Sequence, residues 1–477
     1  MAKDMRTYIR QLEERRPEDL VTVREEVNPQ FGVTAIAQKL EEEGRFPVIF
    51  FERVKGSRMP LLINLTASYP RLAISMDSTL KEMVQQAARR ESNPIPPRFV
   101  SDAEAPVKEV ILKGADASLD VLPITTHNAL DGGPFISGGV LLQKDPETGR
   151  INAGIYRHQK FDSQRIGVMQ NPAHHGRYIG RKWEDRGEKQ PAALVIGHHP
   201  ALLMAAVAKV PGIGGELDVC GGYLGEPLEV VQGETVDIPI PARAEIVIEG
   251  YIPAGERQFE GPFGEWPHYY TGKGDMPFLE VTAILMRKDA IYQDLFASHP
   301  EHNICGALPR MGSLYRRIQE VVPSVVNVNL PYSGGSRAFC YISLRKRSEG
   351  EPQQAAFAAL TTETDIKHVY IVDDDIDVFN ETEVLWALAT RFEADEDLII
   401  MPNCLGAHLN PTAHNRRKTG HGPLQTKCIF DCTKPAPPAE FPPTAKVPEE
   451  VMADLDLDRV LGEYHGLPTR TPAGAPA

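Results

Sequence analysis

Cysteine is scarce in this 477-residue chain, and its six cysteines are scattered at positions 220, 305, 340, 404, 428 and 432. No CxxC pair occurs, and Cys428 and Cys432 lack the neighbouring residues that a zinc site needs. A disulfide framework is not expected in a chain of this length. We therefore expect a protein of the reducing cytoplasm.

Long hydrophobic runs and a signal peptide are missing as well. The longest apolar run, ALLMAAVAKV at 201–210, contains Lys209 and is far shorter than the roughly 20 residues of a membrane span. The N-terminal sequence MAKDMRTYIRQLEERR has no apolar core of the kind that signal peptides carry. No membrane contact is therefore expected.

Positive charge is in deficit. The chain has 51 Lys and Arg residues against 65 Asp and Glu residues, which gives a formal net charge of −14. One short basic cluster, HNRRK at 414–418, is too small to offset this, so nucleic acid is not an expected partner.

Nucleotide-binding fingerprints are absent too. The Gly-rich segment VPGIGGELDVCGGYLG at 210–225 has neither the GxxxxGK[ST] pattern nor the strand–GxGxxG–helix order. Its glycines serve turns, or they form a bend that lets the backbone approach a bound cofactor. Spacing alone favours the turns.

The apolar periodicity predicts an α+β protein in three parts. Residues 1–110 alternate helical and strand patterns, which predicts a small N-terminal α/β domain. Residues 111–315 are rich in strands with two helices between them, which favours a β-barrel with helical insertions. Residues 316–477 return to α/β alternation and end in a Pro-rich tail. There Asn380 and Glu383 predict a capping box before a helix.

Two acids lie close together in FEGPFGEWPHYY at 259–270, where aromatic residues surround Glu260 and Glu265. Like charges in a poorly solvated place raise each other's pKa, and desolvation raises both. Such a pair suits a proton donor or base that works near neutral pH. The alternative is a surface hairpin with two solvated glutamates.

A second group combines Asn152, His175 and Glu216, which are far apart in the sequence. Asn, His and Glu form a suitable ligand set for Mn²⁺ or Mg²⁺. On spacing alone, a capping histidine and a solvated glutamate are the favoured alternative. Strand alternation would point Arg157 away from Asn152 unless a bulge intervenes.

Two further segments carry polar clusters. The acidic run DDDID at 373–377 more often satisfies a helix N-terminus than binds a metal. In ASHPEHNICG at 297–306, the HxxH spacing would suit zinc, but Pro300 argues against a regular helix. We expect this segment to be a loop that lines a polar pocket, with the residues His299, His302 and Asn303.

Taken together and in order, seven motifs resemble those of the UbiD-like decarboxylases. The resemblance runs from the N-terminal YIRQLEE helix to Pro435, and its individual motifs are moderately specific. The motifs are NAGIYRHQ, NPAHHGRYIG, PALLMAAVAKVPGIGGE, AEIVIEGYI, EGPFGEWPHYYTG, DDDIDVFN with VLWALATR, and QTKCIFDCTKP.

This resemblance implies an enzyme that reversibly decarboxylates unsaturated or aromatic acids with prenylated FMN. It implies Mn²⁺ (or Mg²⁺), K⁺ that bridges the cofactor phosphate to the protein, and a flavin prenyltransferase that supplies the cofactor. The implied fold is an N-terminal α/β region, a flavin-reductase-like split β-barrel and a C-terminal α/β domain that dimerises.

The resemblance also implies roles for individual residues. The catalytic trio would be Arg157, Glu260 and Glu265, in which Glu265 reprotonates the substrate carbon after CO₂ leaves and Glu260 orients Arg157. Metal ligands would be Asn152, His175 and Glu216, and Lys427 would meet the cofactor phosphate. The full set of implied cofactor contacts is Asn152, Ile155, Arg157, His175, Pro211, Glu216 and Lys427.

The chain departs from the family pattern at two points. Relatives that act on hydroxybenzoates or cinnamates tend to carry an acidic pair near the cofactor, whereas this chain has PEHN with Asn303 in the acid's place. Because an amide both donates and accepts hydrogen bonds, we expect a heteroaromatic acid or a ring with hydroxyls or a second carboxylate. No phosphate motif other than Lys427 is evident.

Three alternatives stay open. An ordinary FMN oxidoreductase would need a nicotinamide site, and no fingerprint for one occurs. A metal-dependent hydrolase could use His175 and Glu216 without a flavin. An inactive scaffold is disfavoured because Arg157, Glu260 and Glu265 are all retained.

Overall fold

The computed structural model describes residues 2–170, 174–209, 212, 214–416 and 423–462. Contacts divide the chain into one unit that ends at Lys434 and a second that begins at Pro435. Helices and strands mix in the first unit without a repeating βαβ order, so the predicted α+β class is confirmed.

The N-terminal region contains the helices and short sheet that the sequence predicts. Its elements are α1 Met5–Arg15, β1 Leu20–Val27, α2 Gly32–Glu42, β2 Val48–Val54, β3 Leu61–Ile63, α3 Tyr69–Ser75 and α4 Met83–Glu91. Parallel β1–β2 and antiparallel β2–β3 pairings build the sheet, and the later strand Tyr292–Gln293 joins its edge. Asp4 begins the first helix with a capping box that uses Thr7.

A large antiparallel sheet occupies the middle of the chain. The strands of this part of the chain are β4 Arg98–Phe99, β5 Val110–Lys113, β6 Phe135–Ile136, β7 Val140–Lys144, β8 Ile151–Ile155, β9 His158–Gln159, β10 Arg165–Gly167, β11 Gln190–Ile196, β12 Glu229–Gln232, β13 Pro239–Pro241, β14 Ile246–Ile252, β15 Gln258–Glu260, β16 Phe263–Gly264, β17 Tyr270–Thr271, β18 Gly274–Met276, β19 Phe278–Met286 and β20 Tyr292–Gln293; its helices are α5 His175–Arg186, α6 Pro200–Val207 and α7 Glu216–Leu224. The large sheet has the strand order β10-β19-β14-β11-β7-β8, with β5 also paired to β19, and this order does not close into a ring among the described residues.

The central strand β11 shows why this sheet is stable. All seven of its residues are buried, because alternate side chains enter two different hydrophobic clusters. Ala193 and Val195 pack with the helices α6 and α7, and Leu194 packs on the opposite face. A strand buried on both faces needs a continuous apolar run, and the sequence has one here.

The last part of the first unit is a five-stranded mixed sheet with helices packed on it. The elements are α8 Pro300–Cys305, α9 Ala307–Val321, β21 Val325–Asn329, β22 Phe339–Leu344, α10 Glu351–Thr362, β23 His368–Asp373, α11 Glu381–Arg391, β24 Leu398–Leu405, α12 Pro411–Arg416 and β25 Leu424–Cys432. The strand order of the sheet is β21-β22-β23-β25-β24, with parallel pairings at β22–β23 and β23–β25.

The second unit contains two short helices, α13 Glu449–Ala453 and α14 Leu457–Val460. Their side chains are exposed wherever they are described. Across the described residues, no helix has the length and apolar character needed to cross a bilayer.

Three local predictions need correction. Residues 300–305 form the helix α8 rather than a loop, because Pro300 occupies the first turn, where its missing N–H costs nothing. The helix after Asn380 exists, but its capping box does not form, since the Glu383 carboxylate accepts from the Asn380 side chain and from the Asp377 N–H. The acidic run pairs mainly with Arg391, whose guanidinium bonds Asp373 and Asp375.

Candidate active site

Arg157 holds the two predicted acids in different ways. Its Nε and Nη2 each donate to one oxygen of Glu260 at 3.0 Å, which is a two-point ion pair. Its Nη1 reaches a single oxygen of Glu265 at 3.4 Å. The same guanidinium also donates to Thr271 Oγ1 at 2.5 Å and to the Gly272 carbonyl at 3.2 Å. The alternation argument for Arg157 does not apply, because β8 ends at Ile155.

The acids lie on a small folded segment rather than on one solvated hairpin. Glu260 ends β15 and is fully buried, whereas Glu265 directly follows β16 and keeps about 12 % of its side chain exposed. Phe263 contributes its ring beneath Arg157, with the guanidinium carbon 5.4 Å from the ring centroid.

Burial raises the pKa of Glu265, and the nearby Arg157 and Arg337 oppose this rise. Burial also raises the pKa of Glu260, against the opposing charge and hydrogen bonds of Arg157. A carboxyl with a raised pKa holds its proton closer to neutral pH, as a proton donor requires. Since its contact with Arg157 is single and longer, Glu265 is the acid that is freer to exchange a proton.

The three predicted metal ligands fall on elements that touch one another. Asn152 lies in β8, and His175 and Glu216 are the first residues of α5 and α7, both of which pack on β8. The Ala153 N–H donates to Glu216 at 3.3 Å. Tyr156 links this group further, because its hydroxyl contacts the Asn152 side chain and the N–H of Gly176.

Burial raises the pKa of Glu216 to about 7. A nearby cation would stabilise the charged form of this buried carboxyl. The helices α5 and α7 begin at His175 and Glu216, and a helix N-terminus favours a nearby anion. Within the described ranges, no three residues of the His, Cys, Asp and Glu types gather as a metal site, so an amide ligand such as Asn152 would have to complete one. Ile155 is a partly buried residue at the end of β8, and Pro211 lies outside the described residues.

A group of cations converges on the loop after α10, at residues 363–365. Glu363 pairs with Lys209 at 2.6 Å and lies 3.9 Å from Arg310. Asp365 lies 3.6 Å from Arg337. The Thr364 carbonyl accepts from Lys427 Nζ at 3.0 Å. Four cations therefore meet two carboxylates, and we call them the cation cluster: Lys209, Arg310, Arg337 and Lys427.

The cation cluster has a buried hydrogen-bond donor that no described residue satisfies. Burial lowers the pKa of Lys427, and burial together with the charge of Arg310 lowers the pKa of Arg337 to about 10. Arg337 Nε is buried without a hydrogen-bond partner among the described residues. Arg337 stays protonated at neutral pH, so an anion would be stabilised beside it.

The three predicted pocket residues have different surroundings. His299 Nδ1 lies 2.5 Å from a Glu41 oxygen, and its ring stacks on Phe296 at 3.6 Å, so its polar contact is to α2. His302 Nδ1 accepts from the Ser298 N–H at 3.1 Å, and burial lowers the pKa of His302 to about 3. The ring is therefore neutral and carries its proton on Nε2.

Asn303 is fully buried, and its Nδ2 donates to the Trp266 carbonyl at 3.3 Å. Its Oδ1 has no partner among the described residues. The sequence missed Arg310 and Arg337, which complete this region. Arg310 is one of three arginines on helix α9, and Arg337 lies in the SGGSRAF turn, so neither residue gives a local signal of its role.

Known proteins resemble this chain over most of its length. Three models of 3-octaprenyl-4-hydroxybenzoate carboxy-lyase domains match: the N-terminal domain at residues 9–91, the Rift-related domain at 98–300 and the C-terminal domain at 302–432. Anhydromevalonate phosphate decarboxylase of Methanothermobacter thermautotrophicus is 33% identical over 423 residues, which cover 89% of this chain and 96% of that protein. The chain belongs to the UbiD family.

Other UbiD relatives match over similar lengths. Phenolic acid decarboxylase of Sedimentibacter hydroxybenzoicus is 31% identical, covering 92% of this chain and 93% of its own length. The UbiD-class enzyme HmfF of Pelotomaculum thermopropionicum, in complex with FMN, has a TM-score of 0.89 and 36% identity, covering 96% of this chain and 100% of that one. An evolved dimeric form of HmfF in complex with prFMN has a TM-score of 0.85 and 34% identity, covering 96% and 100%.

The protein is therefore a carboxy-lyase of the UbiD class, and the two HmfF structures of this class hold FMN and prFMN. Its own residues fit such a cofactor. The cation cluster sets four cationic side chains against two carboxylates, the buried Glu216 can bind a cation, and both α5 and α7 pack on β8. The side chains of the basic cluster at 414–418 lie outside the described part of the chain.

Proposed function

We propose that this UbiD enzyme catalyses the reversible, non-oxidative decarboxylation of an aromatic, heteroaromatic or α,β-unsaturated carboxylic acid, with Glu265 as proton donor. The observation that carries the proposal is the unequal binding of two acids by Arg157. Glu260 is fixed by two hydrogen bonds, and Glu265 is held by one longer contact.

This asymmetry supports different roles for the two acids. The buried Glu260 orients Arg157, and Arg157 keeps Glu265 in place without binding both of its oxygens. In the reaction, the bond between the substrate carbon and its carboxylate breaks and CO₂ leaves. The proton of Glu265 then forms the new C–H bond, and solvent returns a proton to Glu265.

Cofactor and metal binding would involve this chain's residues as follows. When bound, prenylated FMN supplies an electrophilic carbon that accepts the electrons left by CO₂. Lys427 would pair with the cofactor phosphate. Asn152, His175 and Glu216 would bind Mn²⁺ or Mg²⁺, and K⁺ would bridge the phosphate to the protein. Ile155, Arg157 and Pro211 remain further expected cofactor contacts.

The pocket favours a substrate ring with polar or charged substituents. Asn303 offers an unpartnered oxygen, neutral His302 carries its proton on Nε2, and Arg337 lies close enough to Glu265 to oppose the rise of its pKa. Hydroxyl groups, ring heteroatoms or a second carboxylate would satisfy these groups. A plain hydrocarbon ring would leave them without partners, at a free-energy cost.

Membership of the UbiD family supports our proposals on cofactor supply, compartment and assembly. We propose that a flavin prenyltransferase supplies the cofactor, that the enzyme works in the cytoplasm, and that it assembles as a homodimer or larger homo-oligomer. The domain division at residues 1–110, 111–315 and 316–477, with the last part serving assembly, is kept as part of this proposal.

The test uses enzyme co-produced with a flavin prenyltransferase and purified with its flavin. The holoenzyme is incubated in D₂O with a panel of aromatic, heteroaromatic and unsaturated acids. We expect CO₂ release and one deuterium at the carbon that lost the carboxylate. Mass spectrometry of the released small molecule should find prenylated FMN. Enzyme that holds prenylated FMN but releases no CO₂ from any acid would contradict the proposal. Reduction of bound FMN by NADH or NADPH would favour the oxidoreductase.

A further inference from the structure

A segment distant in sequence supports the strand β16, which immediately precedes Glu265. Asp131 Oδ1 accepts from the Gly264 N–H at 2.9 Å, and its Oδ2 accepts from the Asn128 N–H at 2.8 Å. Gly264 immediately precedes Glu265. The Asp131 carboxylate therefore joins residues 128–132 to the backbone of the proposed proton donor.

More contacts join the same two segments. The Gly132 N–H donates to the Pro262 carbonyl at 2.8 Å, and the Leu130 N–H donates to the Tyr270 hydroxyl at 3.0 Å. Gln159 bridges them, because it donates to the Gly132 carbonyl at 2.7 Å and accepts from the Gly261 N–H at 2.8 Å. We call residues 128–132 the brace.

The brace and the segment around Glu265 pack so closely that two positions admit only glycine. A Cβ on Gly264 would lie 2.5 Å from Asn128 Nδ2, and a Cβ on Gly132 would lie 2.4 Å from the Gly261 carbonyl oxygen. Both glycines are thus needed for the two segments to lie this close. Such a fit restricts the backbone on both sides of Glu265.

The backbone around Glu265 is held at three successive points. The Glu265 N–H donates to the Tyr269 carbonyl at 3.0 Å, and the His268 N–H donates to the Glu265 carbonyl at 2.9 Å. These two bonds lie within the turn itself. The bond from Gly264 to Asp131 connects the turn to a different part of the fold.

We infer that Asp131 is a positioning residue for the proton donor: through the Gly264 N–H it fixes where the Glu265 carboxyl stands. The inference rests on the proposed function of Glu265. Misplacing a catalytic group by about 1 Å can reduce a rate about 100-fold, so a hydrogen bond one residue away is enough to matter.

Asp131→Ala removes both acceptor oxygens, and Asp131→Asn keeps one for the Gly264 N–H. Asp116→Ala, at an exposed aspartate, is the matched control. We expect kcat per bound flavin to fall roughly 10- to 100-fold in Asp131→Ala, with KM and flavin content within about twofold of wild type. Asp131→Asn should recover much of kcat, and the control should match wild type.

Hydrogen–deuterium exchange of peptides covering 259–270 gives a readout that does not depend on turnover. The Gly264 amide should exchange at least about tenfold faster in Asp131→Ala than in wild type, with partial protection in Asp131→Asn. A normal kcat per bound flavin in Asp131→Ala, or unchanged exchange at Gly264, would overturn the inference. If wild type releases no CO₂ while exchange changes as expected, the proposed function fails and the structural role of Asp131 stands.

Discussion

The side-chain amide of Asn303 donates a hydrogen bond to the backbone carbonyl of Trp266, the residue that follows Glu265. Helix α8 is thereby attached to the segment that carries the proposed proton donor. The other end of the same amide, Oδ1, has no partner within the described chain. A single side chain thus joins α8, which carries two of the proposed pocket residues, to the segment that carries the proposed proton donor.

Asn303→Leu tests the pocket assignment. Leucine removes the free acceptor and favours less polar rings, so kcat/KM should shift by roughly tenfold or more from polar to apolar ring acids. Flavin content should stay near that of wild type. The measurement compares kcat/KM over the acid panel in both proteins, and an unchanged order of preference would refute the role of Asn303.

Glu265→Gln tests the proton donor. Glutamine keeps the shape and the contact with Arg157 but cannot deliver a proton, so turnover should fall at least about 100-fold. Bound flavin, read from the visible spectrum, should remain. Glu256→Gln, at an exposed glutamate nearby, is the control. Substantial CO₂ release by Glu265→Gln would remove Glu265 from the mechanism.

Lys427→Met tests the phosphate contact. Methionine keeps most of the buried volume but loses the charge, so the Kd for FMN should rise by roughly 30-fold or more. Fluorescence titration with FMN provides the measurement. Lys288→Met, at an exposed lysine, should bind like wild type. Equal affinity of Lys427→Met and wild type would disprove the assignment.

His175→Ala tests the metal ligands. If His175 is one of three proposed protein ligands, its loss should lower bound Mn²⁺ roughly tenfold or more, and flavin occupancy should fall with it. Elemental analysis and flavin absorbance are read on the same sample. Asp185→Asn, exposed on the same helix, serves as the control. Full metal content in His175→Ala would show that this histidine is not a ligand.

Glu91 predicts a pH dependence of stability. Its carboxylate accepts hydrogen bonds from Tyr223 and Ser313 and lies 3.4 Å from Arg316. Burial nevertheless raises the pKa of Glu91 from 4.5 to about 7. The folded protein therefore binds this proton more tightly than the unfolded chain. The contribution of protonated Glu91 to the free energy of unfolding is complete below about pH 4.5 and is lost as the pH rises to about 7.

Denaturant unfolding at a series of pH values checks this. Between about pH 4.5 and 7.5, wild type should lose up to about 3 kcal/mol more than Glu91→Gln, in which this titration is absent. Glu13→Gln, exposed on α1, should follow wild type. Parallel curves for wild type and Glu91→Gln would mean that Glu91 does not titrate in this range.

Much of the fold was predictable from local patterns. The continuous apolar run of β11 predicts a buried strand, and the amphipathic spacing of α1 predicts a helix. The prediction failed at α8, because the rule against proline applies to helix interiors and Pro300 is in the first turn. The predicted capping box also failed to form, because the Glu383 carboxylate accepts from the Asp377 N–H and the Asn380 side chain instead of from the Asn380 N–H.

By itself the sequence determined most of the helices and strands, the family and the two acids proposed for catalysis, since these depend on residue type and short-range spacing. Only the tertiary structure decided that Arg157 binds Glu260 at two points and Glu265 at one. It also decided that the 363–365 loop gathers cations from distant elements. The physical reason is that charge balance, desolvation and proton affinity depend on which distant groups become neighbours on burial.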